Sequence, residues 1–282
     1  MDHDQRFKTL IREFFDWFLE LFFEPWAKRF DFTQVEWLDK ELYPDPPEGA
    51  EHLLDLVAKL SFRENPDSED TPTLVLVHIE IESRDSTTRL KPRLSYYYHF
   101  LRDKFDLPVL PIAIYLKTAL RGIGTDVVTE TLADLEITRF QYLYVGLPGL
   151  DAIEYLEGDN LLGVALSALM NISEAQVAWL GAEALRRLSE ASLSGKRRRM
   201  LGECVEAYLN LDENARREFE ELLLTEAYQG AREMNATSYE KGLKEGHKEG
   251  QVDLICTALA DRFGDISDAT RQAVKTLFRG ES

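Results

Sequence analysis

The sequence predicts an α/β protein in which helices pack on a mixed β-sheet and an α-helical region follows. Strand-like segments are confined to about the first 147 residues, where a run of strands is followed by a helix and further strands. That order is typical of a mixed sheet with a crossover helix. Beyond residue 159 the strand signal almost vanishes, and apolar residues recur at helical spacing. We therefore predict three parts, at residues 1–150, 151–233 and 234–282.

The elements of the first part are predicted from the period of their apolar residues. Leu10, Phe14 and Phe18 recur at helical spacing, whereas the stretch around Val77 alternates like a strand. The predicted order is a helix over 4–30, strands over 35–42, 53–62 and 73–83, a helix over 87–105, and strands over 108–116 and 137–145. The residues between the last two strands are predicted to be a polar connection.

The last part contains a glycine repeat. Gly242, Gly246 and Gly250 recur every four residues among charged residues. Two interpretations stay open: a solvated helix that lets a partner backbone approach, or a flexible linker, because each glycine costs a helix about 1 kcal/mol relative to alanine. An amphipathic helical pair is predicted over 252–278. The C-terminal helical region, which is the helical extension together with this tail, is a predicted site of self-association.

Composition excludes several classes of protein. Of the 282 residues, 44% are hydrophobic, which is too many for a disordered chain. No window reaches the ~18 uninterrupted apolar residues of a membrane helix. The start is acidic, unlike a secretory signal, and Cys204 and Cys256 lie far apart in helical patterns. We expect a cytoplasmic protein without a disulfide framework or zinc site. The net charge of −18 argues against indiscriminate coating of nucleic acid but leaves room for a local basic surface.

Two predicted strands carry carboxyl groups on defined faces. His78, Glu80 and Glu82 share one face of their strand, and the opposite face is apolar. Asp55 on the neighbouring strand could lie beside them, and carboxylates this close repel one another unless a divalent cation intervenes. Mg²⁺ prefers one or two carboxylates together with water and substrate phosphate. The alternative is a solvated polar face, as is common on antiparallel sheets.

Several segments resemble one bacterial family. They are the N-terminal His-Asp-Gln-Arg-Phe-Lys-Thr-Leu, the later Val-Glu-Trp-Leu-Asp-Lys-Glu-Leu, the Asp-Leu-Val-Ala-Lys that begins at Asp55, and the Leu-Val-His-Ile-Glu-Ile-Glu-Ser that ends at Ser83. Arg93 to Tyr98 and Leu107 to Ile112 are similar to the family's next helix and strand. These segments resemble the Rpn/YhgA group of recombination-promoting nucleases, often labelled transposases, of the PD-(D/E)xK nuclease superfamily.

The resemblance implies an αβββαβ core with an acidic metal-binding centre that hydrolyses DNA phosphodiester bonds. It implies Asp55 and Glu80 as ligands of Mg²⁺ or Mn²⁺, and Asp55, Glu80 and Glu82 as the catalytic residues. At position 82 the chain departs from its relatives, which have Gln or Lys where this chain has Glu82. A lysine there would orient the attacking water and stabilise transition-state charge. Lys59, on the adjacent strand, could replace it only if the register carries it toward Glu82.

A basic stretch follows the acidic strand. Its DNA-binding candidates are Arg84, Arg89, Lys91 and Arg93, in a segment over 84–104 with a net charge of +4. Basic side chains of this kind contact phosphates and give a salt-sensitive affinity. The alternative is an ordinary basic helix face that pairs with acids elsewhere. A second basic run, at 196–199, is more typical of a solvated surface.

Three functions stay open from the sequence. The first is a metal-dependent DNA endonuclease of the recombination-promoting type. The second is a catalytically impaired nuclease-fold protein that binds DNA or protein, which Glu82 and the acidic charge favour. The third is an assembly protein that associates through its helical region.

Overall fold

The computed structural model describes residues 3–38, 55–63, 73–83, 90–117 and 120–235. Residues 1–231 form one compact unit and residues 232–282 a second. The predictions for the glycine repeat and for the helical pair over 252–278 lie outside the described residues, as do Arg84 and Arg89. The division of the chain at residues 150 and 233 stays a prediction.

The first unit alternates helices and strands before it becomes helical. Its elements are α1 (His3–Glu13), α2 (Phe15–Ala27), β1 (Phe30–Trp37), β2 (Leu56–Phe62), β3 (Thr73–Glu82), α3 (Leu90–Phe105), β4 (Val109–Tyr115), β5 (Gly122–Leu132), β6 (Leu135–Gly146), α4 (Ala152–Glu157), α5 (Leu161–Leu166), α6 (Val177–Glu190), α7 (Gly195–Tyr208) and α8 (Glu213–Leu224). In the described part of the chain, three short 3₁₀ segments lie between these elements and a fourth follows α8. The strand predicted over 35–42 corresponds to β1, which begins earlier than expected.

The single helix predicted over 4–30 is wrong. It is divided at Phe14, whose backbone (φ −119°, ψ 36°) is not helical, and α2 is kinked again at Phe23 ahead of Pro25. Proline has no N–H to donate, and its ring crowds the preceding turn. The division lets each segment bury its own apolar face: Phe7 packs edge-on against Tyr208 of α7, with ring centroids 5.9 Å apart, whereas α2 packs on β1.

A six-stranded mixed sheet forms the centre of the unit, in the order β1-β2-β3-β4-β6-β5. β1, β2 and β3 are antiparallel, β3 and β4 are parallel, β4 and β6 are parallel, and β5 returns antiparallel at the edge. The predicted α/β class with a mixed sheet is therefore confirmed. The polar connection predicted before residue 137 is wrong, because most of it is β5. Its β-branched residues Val127, Val128 and Thr129 favour a strand, although its outer half is exposed.

Helix α3 covers one face of the sheet. Tyr97 and Leu101 of α3 pack with Val57 of β2 and Leu76 of β3 in one buried cluster. A second cluster joins α3 to β4 and β6 and consists of Leu90, Leu94, Ala113, Tyr115, Phe140 and Tyr142. Burying a large apolar side chain contributes about 1.5–3 kcal/mol. These contacts hold α3 firmly over the middle of the sheet.

The helices that follow the sheet belong to the same compact unit. α5 packs against α2, α7 packs against α1, and α6 lies against α7 and α8. Side chains of Asp151, Asn160, Ser194 and Asp212 cap α4, α5, α7 and α8 by accepting N–H groups of the first turns. The predicted α-helical region is confirmed over its described part. Among the described residues no helix is both long and apolar enough to cross a membrane.

Candidate functional site

The pairing of β2 with β3 brings the predicted carboxyl groups together. Leu56 pairs with Ile79 and Val57 with His78, so the same antiparallel register places Asp55 opposite Glu80. Asp55 immediately precedes β2, and its backbone N–H points to Glu80 Oε1 at 3.4 Å. Because side chains alternate along a strand, Glu82 and His78 lie on the same face as Glu80. That face is the one covered by α3.

The carboxyl cluster, which we define as Asp55, Glu80 and Glu82, is buried. Glu80 and His78 are fully buried, and Asp55 and Glu82 retain 7% and 5% exposure. The alternative of a solvated polar face is therefore wrong. Buried carboxyl groups require charged or hydrogen-bonding partners, since an isolated charge is costly to remove from water.

Glu80 is held by two basic side chains. His78 Nε2 lies 2.9 Å from Glu80 Oε1, and Arg93 Nε of α3 lies 2.7 Å from Oε2. The N–H of Arg93 is not aligned with that oxygen, so the contact is an ion pair rather than a hydrogen bond. Burial opposes ionisation of Glu80, but the hydrogen bond from His78 and the charges of His78 and Arg93 outweigh it and lower its pKa. Glu80 is therefore the ionised member of the pair.

Asp55 has a different environment. Lys8 Nζ of α1 lies 2.7 Å from Asp55 Oδ1, and the backbone N–H of Ile81 donates to Oδ2 at 2.6 Å. Burial, reinforced by the charge of Glu80, raises the pKa of Asp55 to about 7 although Lys8 acts in the opposite direction. The two neighbouring carboxyl groups therefore differ in proton affinity, as expected when like charges share a site.

Basic side chains surround the carboxyl cluster. Lys8 pairs with Asp55, His78 lies beside Glu80, and Arg93 lies near both Glu80 and Glu82. Carboxylates this close repel one another, and a proton or a cation relieves that repulsion. Burial and the charge of Glu80, which raise the pKa of Asp55, make Asp55 the group that holds the proton.

Glu82 lies at the outer end of the cluster. The guanidinium of Arg93 is 3.9 Å from Glu82 Oε2, and Tyr115 of β4 is its register partner. From Tyr115 a polar chain runs through Tyr142, whose hydroxyl lies 3.2 Å away, to Asp126. Burial raises the pKa of Tyr115 to about 12, so it stays a neutral hydroxyl. Two tyrosine hydroxyls therefore connect the acidic end of the site to the ion pair of Asp126 with Lys91.

The candidate basic residues occupy different places. Arg93 lies within the cluster, with its side chain 14% exposed. Lys91 is a third exposed and pairs with Asp126 at 2.8 Å. Lys59 does not reach Glu82, because it pairs with Leu76 in the sheet and its ammonium lies 3.0 Å from Glu36. The idea that Lys59 replaces the missing lysine is therefore wrong.

Two residues of the second basic run, at 196–199, form ion pairs within the protein. Lys196 and Arg197 pair with Glu13 at 2.8 and 3.1 Å, and the Arg197 guanidinium lies over the rings of Phe14 and Trp17. These contacts join the start of α7 to the junction of α1 and α2.

Lys8 was not predicted as a member of the site. It lies within the N-terminal segment that carries the family resemblance, beside Phe7. Nothing local distinguishes it from other helical lysines, because its proximity to Asp55 depends on how α1 packs. Its burial is the unusual feature, since lysines are rarely buried unless paired.

The carboxylate oxygens of Asp55 and Glu80 suit a hard divalent cation that takes its remaining ligands from water or substrate. Among the described residues no three His, Cys, Asp or Glu side chains are grouped to hold a metal ion. Mg²⁺, however, is commonly held by one or two carboxylates, with water and substrate phosphate as the remaining ligands. Asp55 and Glu80 supply two adjacent buried carboxyl groups, and the repulsion between them favours a cation there.

Comparisons with protein-family models, with curated proteins and with solved structures give no match for the chain. The resemblance to recombination-promoting nucleases therefore depends on the quoted sequence segments and is carried forward as a proposal.

Proposed function

We propose that the chain is a metal-dependent DNA endonuclease of the recombination-promoting type, with a PD-(D/E)xK-like core. The observation that carries the proposal is the direct opposition of Asp55 and Glu80 in a buried carboxyl cluster. Such a cluster is costly to maintain, and strongly perturbed carboxyl groups are typical of functional sites.

The order of elements supports the same core. Helices α1 and α2 precede three antiparallel strands, α3 crosses over, and β4 continues the sheet in parallel. Apart from the division of the first helix, this is the αβββαβ arrangement that the resemblance implies. The carboxyl cluster lies at the ends of β2 and β3, beneath the crossover helix.

In the proposed reaction, Asp55 and Glu80 would hold Mg²⁺ or Mn²⁺, which would supply Lewis acidity toward the phosphate and lower the pKa of water. A water oxygen forms a new bond to phosphorus, and one phosphorus–ester oxygen bond breaks. Glu82 orients that water and accepts its proton, while the departing oxygen takes a proton from solvent. Arg93 holds Glu80 and Glu82 in place.

DNA would approach along the basic stretch that follows β3. Lys91 is partly exposed there, and Arg93 faces inward. Arg84 and Arg89 stay predicted contacts. An acidic protein needs such a local concentration of positive charge to overcome repulsion of the phosphates, and the affinity should therefore fall steeply with salt.

A second function is favoured by the partners of the carboxyl groups. Lys8, His78 and Arg93 already neutralise much of the cluster, and Glu82 would repel an incoming phosphate. In this alternative the ion pairs are structural, and the protein binds DNA or another protein without cleaving it. Self-association through the C-terminal helical region is compatible with either function and stays a prediction.

Cleavage of supercoiled plasmid with and without Mg²⁺ tests the proposal. The wild-type chain should nick or linearise plasmid with Mg²⁺ and lose this activity with chelator. Asp55→Asn and Glu80→Gln should each lower the rate by at least about 100-fold, since each removes a ligand charge at the reacting centre. Glu24→Gln is the matched control, because Glu24 is an exposed glutamate of α2 paired only weakly with Lys28. Wild-type-like cleavage by both site variants would refute the endonuclease proposal, and an inactive wild type would favour the alternative.

A further inference from the structure

Among the described residues, Lys8 is the one lysine that is buried. Its ammonium lies 2.7 Å from Asp55 Oδ1, and its side chain is only 10% exposed. The other carboxylate oxygen of Asp55 already accepts the N–H of Ile81. Lys8 therefore contacts the one oxygen of Asp55 that points away from the β3 backbone.

Helix α1 holds Lys8 rigidly. Its neighbours Phe7 and Leu10 are buried, and Phe7 packs edge-on against Tyr208 of α7. This packing keeps the backbone of Lys8 beside the carboxyl cluster, so the ammonium stays within reach of the site if a cation replaces it at Asp55. The helical region thus supports the site through α1.

The site lacks a lysine at the position where one would be expected. Glu82 occupies that position, and the ammonium of Lys59 is paired with Glu36 of β1. Lys91 is held by Asp126. Arg93 is engaged with Glu80, and a planar guanidinium is not equivalent to an ammonium as a compact donor.

We propose that Lys8 is the catalytic lysine of this site, supplied by α1 in place of a lysine at position 82. This inference rests on the proposed nuclease function. The ammonium of Lys8 donates hydrogen bonds and positive charge to the attacking water or to a phosphate oxygen. There it stabilises the negative charge that develops as the phosphorus–oxygen bond forms.

This role has a consequence that a purely structural ion pair lacks. In the protein without metal, Lys8 occupies an oxygen of Asp55 that a divalent cation would also use. Lys8 and the cation therefore compete for the same negative charge. Removing the ammonium should strengthen metal binding and weaken cleavage, whereas loss of a structural contact would impair both.

The test compares Lys8→Met with Lys28→Met, a matched exposed lysine at the C-terminal cap of α2. We expect calorimetric titration to show Mn²⁺ binding to Lys8→Met about threefold or more tighter than to the wild type, since a competing charge is gone. Plasmid cleavage should fall by roughly 100-fold, the usual effect of losing one transition-state donor. Lys28→Met should match the wild type in both measurements. Cleavage by Lys8→Met within threefold of the wild type, or weaker Mn²⁺ binding together with slower cleavage in a folded variant, would overturn the inference.

A second variant covers the case in which Lys8→Met does not fold. Lys8→Arg keeps a cation beside Asp55, so the fold should survive by circular dichroism. Its cleavage rate should still fall by about tenfold or more because the guanidinium is larger and differently oriented. A folded Lys8→Arg with undiminished cleavage would contradict the role of Lys8.

Measurements on the wild type distinguish failure of the role of Lys8 from failure of the proposed nuclease function. If the wild type binds Mn²⁺ and cleaves plasmid but the Lys8 variants do the same, the role of Lys8 alone is refuted. If the wild type neither binds Mn²⁺ nor cleaves, the proposed function fails and the catalytic role of Lys8 fails with it.

Discussion

Two regions of the same sheet reverse the usual relation between polarity and burial. The carboxyl cluster at the ends of β2 and β3 is charged, yet Glu80 is completely buried. The ribbon tip, residues 129–139 of β5 and β6, carries Leu132 and Leu135 at 72% and 63% exposure. β6 pairs with β4 only from Leu143 onward among the described residues, so the ribbon tip extends beyond the rest of the sheet.

The difference shows what each region contributes to stability. In the carboxyl cluster, five charged side chains and His78 depend on one another, and losing one leaves others buried without a partner. At the ribbon tip, the apolar side chains gain little from folding because they stay in water. Replacing a charged residue of the carboxyl cluster should therefore lower the free energy of unfolding strongly. Replacing an exposed apolar residue of the ribbon tip should hardly change it.

The largest effect is expected for Glu80→Ala. Removing this carboxylate leaves Arg93 and His78 buried without their partner, which should lower the free energy of unfolding by about 3–5 kcal/mol. Urea unfolding measures the change, and Glu24→Ala on the exposed face of α2 serves as the control, with an expected loss below about 1 kcal/mol. Equal losses in the two variants would show that the cluster is not a cooperative unit.

A smaller effect is expected from pH in the protein without metal. The pKa of Asp55 is raised from 3.8 to about 7, so the folded state retains a proton that the unfolded state has released. The free energy of unfolding should therefore fall as pH rises between about 4 and 7, with a slope of at most about 1.4 kcal/mol per pH unit. Glu80 acts in the opposite direction only below its ordinary range, because its pKa is lowered.

The variant Asp55→Asn isolates the contribution of Asp55 to this pH dependence. The amide imitates the protonated acid, so the variant should lose the part of the pH slope that Asp55 causes, and other titrating groups cancel in the comparison. Urea unfolding at several pH values in chelator provides the data. A slope that is the same in both proteins would mean that Asp55 is ionised in the folded state at pH 5.

The smallest effect is expected at the ribbon tip. The double substitution Leu132→Thr with Leu135→Thr should change the free energy of unfolding by less than about 0.5 kcal/mol, since both side chains are exposed and threonine favours strands. Thermal unfolding of the variant is the measurement. A clear loss of stability would show that these residues are covered in solution.

The sequence predicted most of the elements but not all of their bounds. The alternation of β2 and β3 correctly predicted strands, and it placed His78, Glu80 and Glu82 on one face. β5 was missed because an edge ribbon that is largely exposed lacks the apolar period of a buried strand. The division at Phe14 was missed because aromatic residues continue at helical spacing through it.

The candidate site was predicted in part for the same reason. Asp55 and Glu80 were identified from the strand pattern together with the family resemblance, and the register brings them face to face. Lys8 and the inward position of Arg93 were not foreseen. Both depend on contacts between helices and strands that are distant in sequence, and local patterns carry no information about such contacts.

By itself the sequence determined which carboxyl groups share a face, because side-chain alternation is a local property of an extended backbone. Only the tertiary structure decided that this face is buried under α3, that Lys8 reaches Asp55, and that Lys59 pairs with Glu36 instead of reaching Glu82. The physical reason is that burial and ion pairing are set by the packing of whole elements. In that packing, the cost of removing charge from water must be met by partners supplied from elsewhere in the chain.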